Sequence, residues 1–110
     1  MLVYISGPIT GRPEEEWRAE FKAASDKLKS MGHVPVNPAD IGDALAEDCL
    51  ARTPGRTLEW VDYMREDIKA LTECGGICLL PGWNNSSGAR LECHVALHLG
   101  LEVIDIGEEN

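Results

Sequence analysis

Short apolar runs alternating with longer amphipathic segments predict an α/β protein: a three-layer, flavodoxin- or Rossmann-like parallel sheet of about four strands in the order 2-1-3-4. The runs Leu2–Ser6 and Ile77–Leu80 lack polar alternation, as expected of strands covered on both faces. Both are followed by a proline and a glycine, Gly7-Pro8 and Pro81-Gly82, which turn the chain away from the sheet. Segments of helical periodicity separate the runs, and such strand–helix–strand units close with right-handed crossovers. In this order the first and third strands are neighbours whose outgoing helices lie on opposite faces. Ligands bind at that switch point, beyond the carboxyl ends of the strands.

Each element has its own signal. After the first strand, Pro13 and three glutamates begin a helix in which Trp17, Phe21, Ala24 and Leu28 form the apolar stripe, predicted from Pro13 to Met31 and ended before Gly32. Val34–Val36 is a brief second strand, placed near an edge by Pro35. Asn37 to Arg56 reads as an excursion over the active face with a short helical stretch at Ala44–Ala51. Thr57 is the expected cap of the next helix, whose stripe is Trp60, Met64, Ile68 and Leu71, with Asp67 beside it. A further helix starts near Ser87, turns Leu91, Val95 and Leu99 inward, and stops at Gly100; Leu101–Ile106 is the fourth strand. The acidic tail Glu108-Glu109-Asn110 is expected to fray.

A chain of 110 residues suffices for one domain, residues 1–110, with a real core. Its 44% hydrophobic and 26% charged content is that of an ordinary soluble protein. No apolar run is long enough to span a membrane, and the immediate first strand argues against a cleaved leader, so the cytoplasm is the expected compartment. A formal charge of -9 without a Lys/Arg stripe repels nucleic-acid polymers but permits a small anion neutralised locally. Cys49, Cys74, Cys78 and Cys93 are simplest as reduced core thiols; a metal set of Cys74, Cys78, Cys93 and His94 is the alternative. His94 and His98, one helical turn apart, read as a solvated face.

The loops Gly7–Arg12 and Pro81–Gly88 converge at the switch point. Backbone amides at a helix start bind anions, so Ser86, Ser87 and Gly88 can cradle a phosphate, although serine and glycine also cap helices for structural reasons alone. Glu92 lies one turn deeper, where the helix dipole also favours an acid. Asp67 approaches the same strand ends, or else serves as an interhelix hydrogen-bond partner. Two carboxyl groups flanking one pocket suit glycosidic cleavage, one engaging the oxocarbenium-like sugar and the other moving the proton of the leaving group. For that, Asp67 needs a raised pKa from burial near Trp60 and Met64. Tyr4 can orient Glu92 or simply fill the core; Arg12 can meet a phosphate or stay solvated; Trp60 and Trp83 can stack on a base or pack.

The segments Tyr4-Ile5-Ser6-Gly7-Pro8, Tyr63-Met64-Arg65-Glu66-Asp67, Leu79-Leu80-Pro81-Gly82-Trp83 and Ser86-Ser87-Gly88-Ala89-Arg90-Leu91-Glu92 resemble a small phage and bacterial domain family of unknown function. That family is similar to nucleoside 2-deoxyribosyltransferases and 2-deoxynucleoside 5-phosphate N-hydrolases. The resemblance implies that Glu92 attacks the anomeric carbon, Asp67 helps protonate the base, and Tyr4 positions Glu92. It matches Ser86 and Gly88 to phosphate contacts, and the serine at 86 favours a nucleoside monophosphate; with Ser6, Gly7, Pro8, Arg12 and Ser87 they make up the expected substrate- or phosphate-binding set. No cofactor, metal or membrane is expected, and the partner is expected to be a small nucleotide or nucleoside; the resemblance implies a homodimer or larger homo-oligomer. The sequence departs from the pattern in three places. Thr10 stands where the N-hydrolases have arginine, Arg90 replaces a small glycine, and little chain follows the fourth strand. An enzyme acting on an N-glycosidic bond is thus the expected function, with a non-catalytic nucleotide-binding module or a structural oligomer as the competing classes.

Overall fold

The computed structural model describes residues 1–107, and the acidic tail lies outside them. Four parallel strands, β1 (Leu2–Ser6), β2 (Val34–Val36), β3 (Gly76–Leu79) and β4 (Glu102–Val103), form one sheet in the order β2-β1-β3-β4, as expected. The helices are α1 (Glu14–Ser30), α2 (Pro38–Arg52), α3 (Trp60–Thr72) and α4 (Ser87–His98), with a short 3-10 turn at Trp83–Asn85. No helix among the described residues is long and apolar enough to cross a membrane.

Side chains along β1 alternate between two cores, which makes the three layers. Val3 and Ile5 pack with Phe21, Ala24 and Leu28 of α1, while Tyr4 packs with Leu71, Ile77 and Ala96 on the side of α3 and α4. The register pairs Tyr4 with Ile77 and Ser6 with Leu79, so the loops after β1 and β3 leave the sheet side by side. They approach closely: a Cβ on Gly7 would lie 2.9 Å from that of Leu80, so only glycine fits there.

Four expectations change. The helical stretch at Ala44–Ala51 belongs to a longer helix, α2, because the Asn37 side chain accepts the Ala39 amide at 2.9 Å and Pro38 supplies the first helical position. Thr57 is not the cap of α3; Glu59 is, in a reciprocal capping box with Asp62. In α4 the inward face is Ala89, Glu92, Cys93 and Ala96, whereas Leu91 and Leu99 are exposed and Val95 is half-buried. Small residues let α4 lie close to the sheet, and proximity outweighs the larger apolar area of the leucines. Strand β4 is shorter than Leu101–Ile106: after the Ile104 amide bonds the Ile77 carbonyl at 2.8 Å, Ile104 and Ile106 stay buried without a ladder. The stop at Gly100 is as expected, with φ 78° and the Leu101 amide returning to the Ala96 carbonyl.

Candidate active site

Strand periodicity sends Tyr4 and Ser6 to the same face of β1, roughly 6.6 Å apart. Between them lies the carboxyl of Glu92, only 5% exposed, brought there by the inward face of α4. The Tyr4 hydroxyl donates to Glu92 Oε2 at 2.8 Å, and the Ser6 hydroxyl donates to Oε1 at 2.7 Å. Burial raises the pKa of Glu92, and the donors Ser6 and Tyr4 pull it back. Burial, then the charges of Glu92 and Asp67, hold the Tyr4 hydroxyl well above its usual value, so it remains a donor near neutrality.

Asp67 is 8% exposed on α3, in the row Trp60, Met64, Asp67, Leu71. Burial pushes its pKa up to about 7, with the charges of Glu92 and Glu66 acting in the same direction. Unlike Glu92, it has no donor among the influences on its charge. The two acids thus differ in the way acid–base chemistry requires: Asp67 retains a proton near neutrality, and Glu92 has two donors supporting its anion.

Both carboxyls line one cavity of about 600 Å³ beyond the carboxyl ends of β1 and β3. Its floor is Glu92, Asp67, Ala89 and Gly88; its walls are Trp60, Tyr63 and Met64 of α3, Trp17 and Phe21 of α1, and Ala39 and Gly42 of α2. Trp17 and Phe21 meet edge to face at 5.6 Å. At the mouth, Arg12 bonds Glu16 and Glu20, at 2.8 and 2.6 Å, and the Pro8 carbonyl at 3.0 Å. Arg18 joins Glu14 to Asp43 of α2, both at 2.7 Å, with its guanidinium 5.0 Å from the Trp17 ring centroid. Each guanidinium in the cavity is therefore already neutralised by two carboxylates.

Of the residues singled out from sequence, Glu92, Asp67, Gly7, Arg12, Ser86 and Gly88 meet at this cavity. Tyr4 and Ser6 stand behind Glu92 instead of on the wall; Ser6, grouped with the phosphate loop, directs its hydroxyl to the carboxylate. Ser86 caps α4 by accepting the Ala89 amide at 3.2 Å, while the amides of Ser87 and Gly88 have no carbonyl four residues back within the helix. Ser87 lines a shallow outer depression with Trp83, Arg90, Leu91 and His94, so Trp83 is outside the cavity and Trp60 inside it. Pro8 is absent from the wall and braces the Gly82 turn. Trp17, Arg18, Asp43 and Tyr63 were not anticipated at the site. The signal for Trp17 and Arg18 was their position in the first turns after the Gly7–Arg12 loop, where a helix faces the strand ends. All four cysteines are buried and none is joined in a disulfide, and no group of three or more metal-ligating side chains occurs among the described residues.

The fold is shared with two solved structures. A 2-deoxyribosyltransferase from Leishmania mexicana superposes with a TM-score of 0.63 at 18% identity over 94% of this chain, which spans 62% of that protein's length. A 2-deoxyribosyltransferase from the psychrotolerant bacterium Bacillus psychrosaccharolyticus gives 0.64 at 17% identity, covering 100% of this chain and 77% of that one. No curated protein matches the sequence. Residues 1–105 match the family described as Domain of unknown function (DUF4406), and the chain, carrying its carboxyl pair within that span, belongs to this family.

Proposed function

We propose that the chain cleaves, or transfers across, the N-glycosidic bond of a nucleoside or nucleotide, with Glu92 as nucleophile and Asp67 as acid. The observation that carries this is the pair of buried carboxyls of unequal proton affinity in one aromatic-walled cavity. The Glu92 carboxylate attacks the anomeric carbon as the sugar–base bond breaks; the base leaves with the bonding electrons and takes the proton of Asp67. Water or a second base, either one giving a proton to Asp67, then opens the glycosyl ester and regenerates Glu92. Trp60, Trp17 and Tyr63 supply apolar faces for the base. No cofactor enters this scheme. The shared fold with two 2-deoxyribosyltransferases supports the reaction class.

The preferred substrate in this reading is a deoxynucleoside 5-monophosphate, its phosphate at the α4 amides beside Ser86 and Gly88. Arg12 joins it only by exchanging Glu16 or Glu20 for the phosphate. The exposed Leu91 and Leu97, which border one outer depression with Trp83, offer an apolar patch to a second copy of the chain, in keeping with a homo-oligomer.

Incubation with a panel of nucleosides and nucleoside monophosphates, with base release followed by chromatography, tests the proposal. Glu92→Gln is expected to retain ligand-induced thermal stabilisation and lose base release. Undiminished turnover by Glu92→Gln removes Glu92 from the chemistry, and ligand stabilisation without any base release by the native chain identifies a binding module.

A further inference from the structure

We propose that Ser6 is a positioning residue: its hydroxyl, acting with that of Tyr4, fixes the plane of the Glu92 carboxylate and decides which carboxyl in the cavity carries the proton. The catalytic consequence rests on the glycosidic reading above; the positional role rests on geometry alone. Ser6 is fully buried, in a strand whose neighbours Val3, Tyr4 and Ile5 are equally buried, where alanine would satisfy packing. Its hydroxyl points to Glu92 Oε1 at 2.7 Å while Tyr4 holds Oε2 at 2.8 Å. One donor leaves a carboxylate free to swing about its terminal torsion, which is broad in energy; donors on both oxygens stop it. Ser6 is not part of the cavity wall, so its influence on substrate passes through Glu92.

The other charged groups do not replace this donor. Asp67 and Glu66 of α3 are like charges. Tyr4 is engaged with the opposite oxygen, and Cys74 and Cys93 are thiols that burial holds protonated. Arg12 and Arg18 at the mouth are committed to Glu14, Glu16, Glu20 and Asp43. Donation from Ser6 together with Tyr4 therefore separates Glu92 from Asp67, and loss of the Ser6 hydroxyl leaves Glu92 with one donor in place of two. Without it, the proton favours Glu92 more and Asp67 less, because the two sites repel and titrate as a coupled pair.

The test is carboxyl ¹³C NMR on protein labelled at Glu Cδ and Asp Cγ, with the two resonances assigned by Glu92→Gln and Asp67→Asn. Ser6→Ala is expected to raise the Glu92 titration midpoint by about one pH unit, a tenfold gain in proton affinity, and to lower that of Asp67. Ser6→Thr, which keeps the hydroxyl, restores both. An unchanged Glu92 midpoint in folded Ser6→Ala overturns the proposal, as does an equal shift in Ser6→Thr, which would trace the effect to packing. With an accepted substrate, the acid limb of kcat/KM moves upward in Ser6→Ala by the same interval. Absence of base release with every substrate refutes the glycosidic reading while the NMR midpoints still decide the role of Ser6.

Discussion

Replacing Asp67 with asparagine separates what the fold gains from what the site needs. Asp67 has a folded-state pKa of about 7 against an ordinary 3.8, so the native chain binds more protons than the unfolded chain between those values. Stability linked to this group is fully present below pH 4, declines as pH rises, and levels off above pH 7. The interval is about three pH units, and at about 1.4 kcal/mol per unit the penalty of ionising Asp67 approaches 4 kcal/mol at pH 8. Relaxation and water entry reduce that upper bound, and about 2–4 kcal/mol is the expected range. Asp67→Asn should therefore stabilise the protein by that amount at pH 8 and by little at pH 4, measured by urea unfolding at both pH values. Base release should fall in the same variant, a trade of activity for stability. An equal gain at the two pH values, or a loss at both, would refute the reasoning, because neither outcome can come from the titration of Asp67.

Two further outcomes follow from the backbone around the cavity. Gly7→Ala forces a methyl to within 2.9 Å of the Leu80 Cβ, and should destabilise the fold by about 1–3 kcal/mol in urea unfolding through overpacking between the two loops; native-like stability would mean the loops part freely. Asn37→Ala removes the acceptor of the Ala39 amide and should cost about 1 kcal/mol. Because α2 carries Ala39 and Gly42 on the cavity wall, the same variant should also weaken ligand-induced thermal stabilisation.

Strand order and the convergence of the two loops were legible because they follow from the alternation of apolar runs and from topology. Asp67 and Tyr4 were legible as polar groups on otherwise apolar elements, and Glu92 from its place one turn beyond the Ser86–Gly88 helix start. What periodicity could not give was the choice of face on α4, where Leu91 and Leu99 outweigh Ala89, Cys93 and Ala96 in hydrophobicity, yet only the small residues permit close approach to the sheet. The full extent of α2 was hidden by reading Asn37-Pro38 as a loop when it is a cap followed by a first helical residue. The partners of Arg12 were also out of reach: that Glu16 and Glu20 share its guanidinium depends on how the loop enters α1.

Strand β1 has one face in the α1 core and the other at Glu92, so two properties that are usually separate are joined in five consecutive residues. Inserting or deleting one residue within it would exchange the hydroxyl-bearing side chains for aliphatic ones, leaving a carboxylate against hydrocarbon. Conversely, repacking Val3 or Ile5 is a means of adjusting the reactive acid from behind, by nudging the ribbon to which its two hydroxyl anchors are attached. Engineering this scaffold for altered acidity can thus begin with strand residues that are not part of the cavity wall.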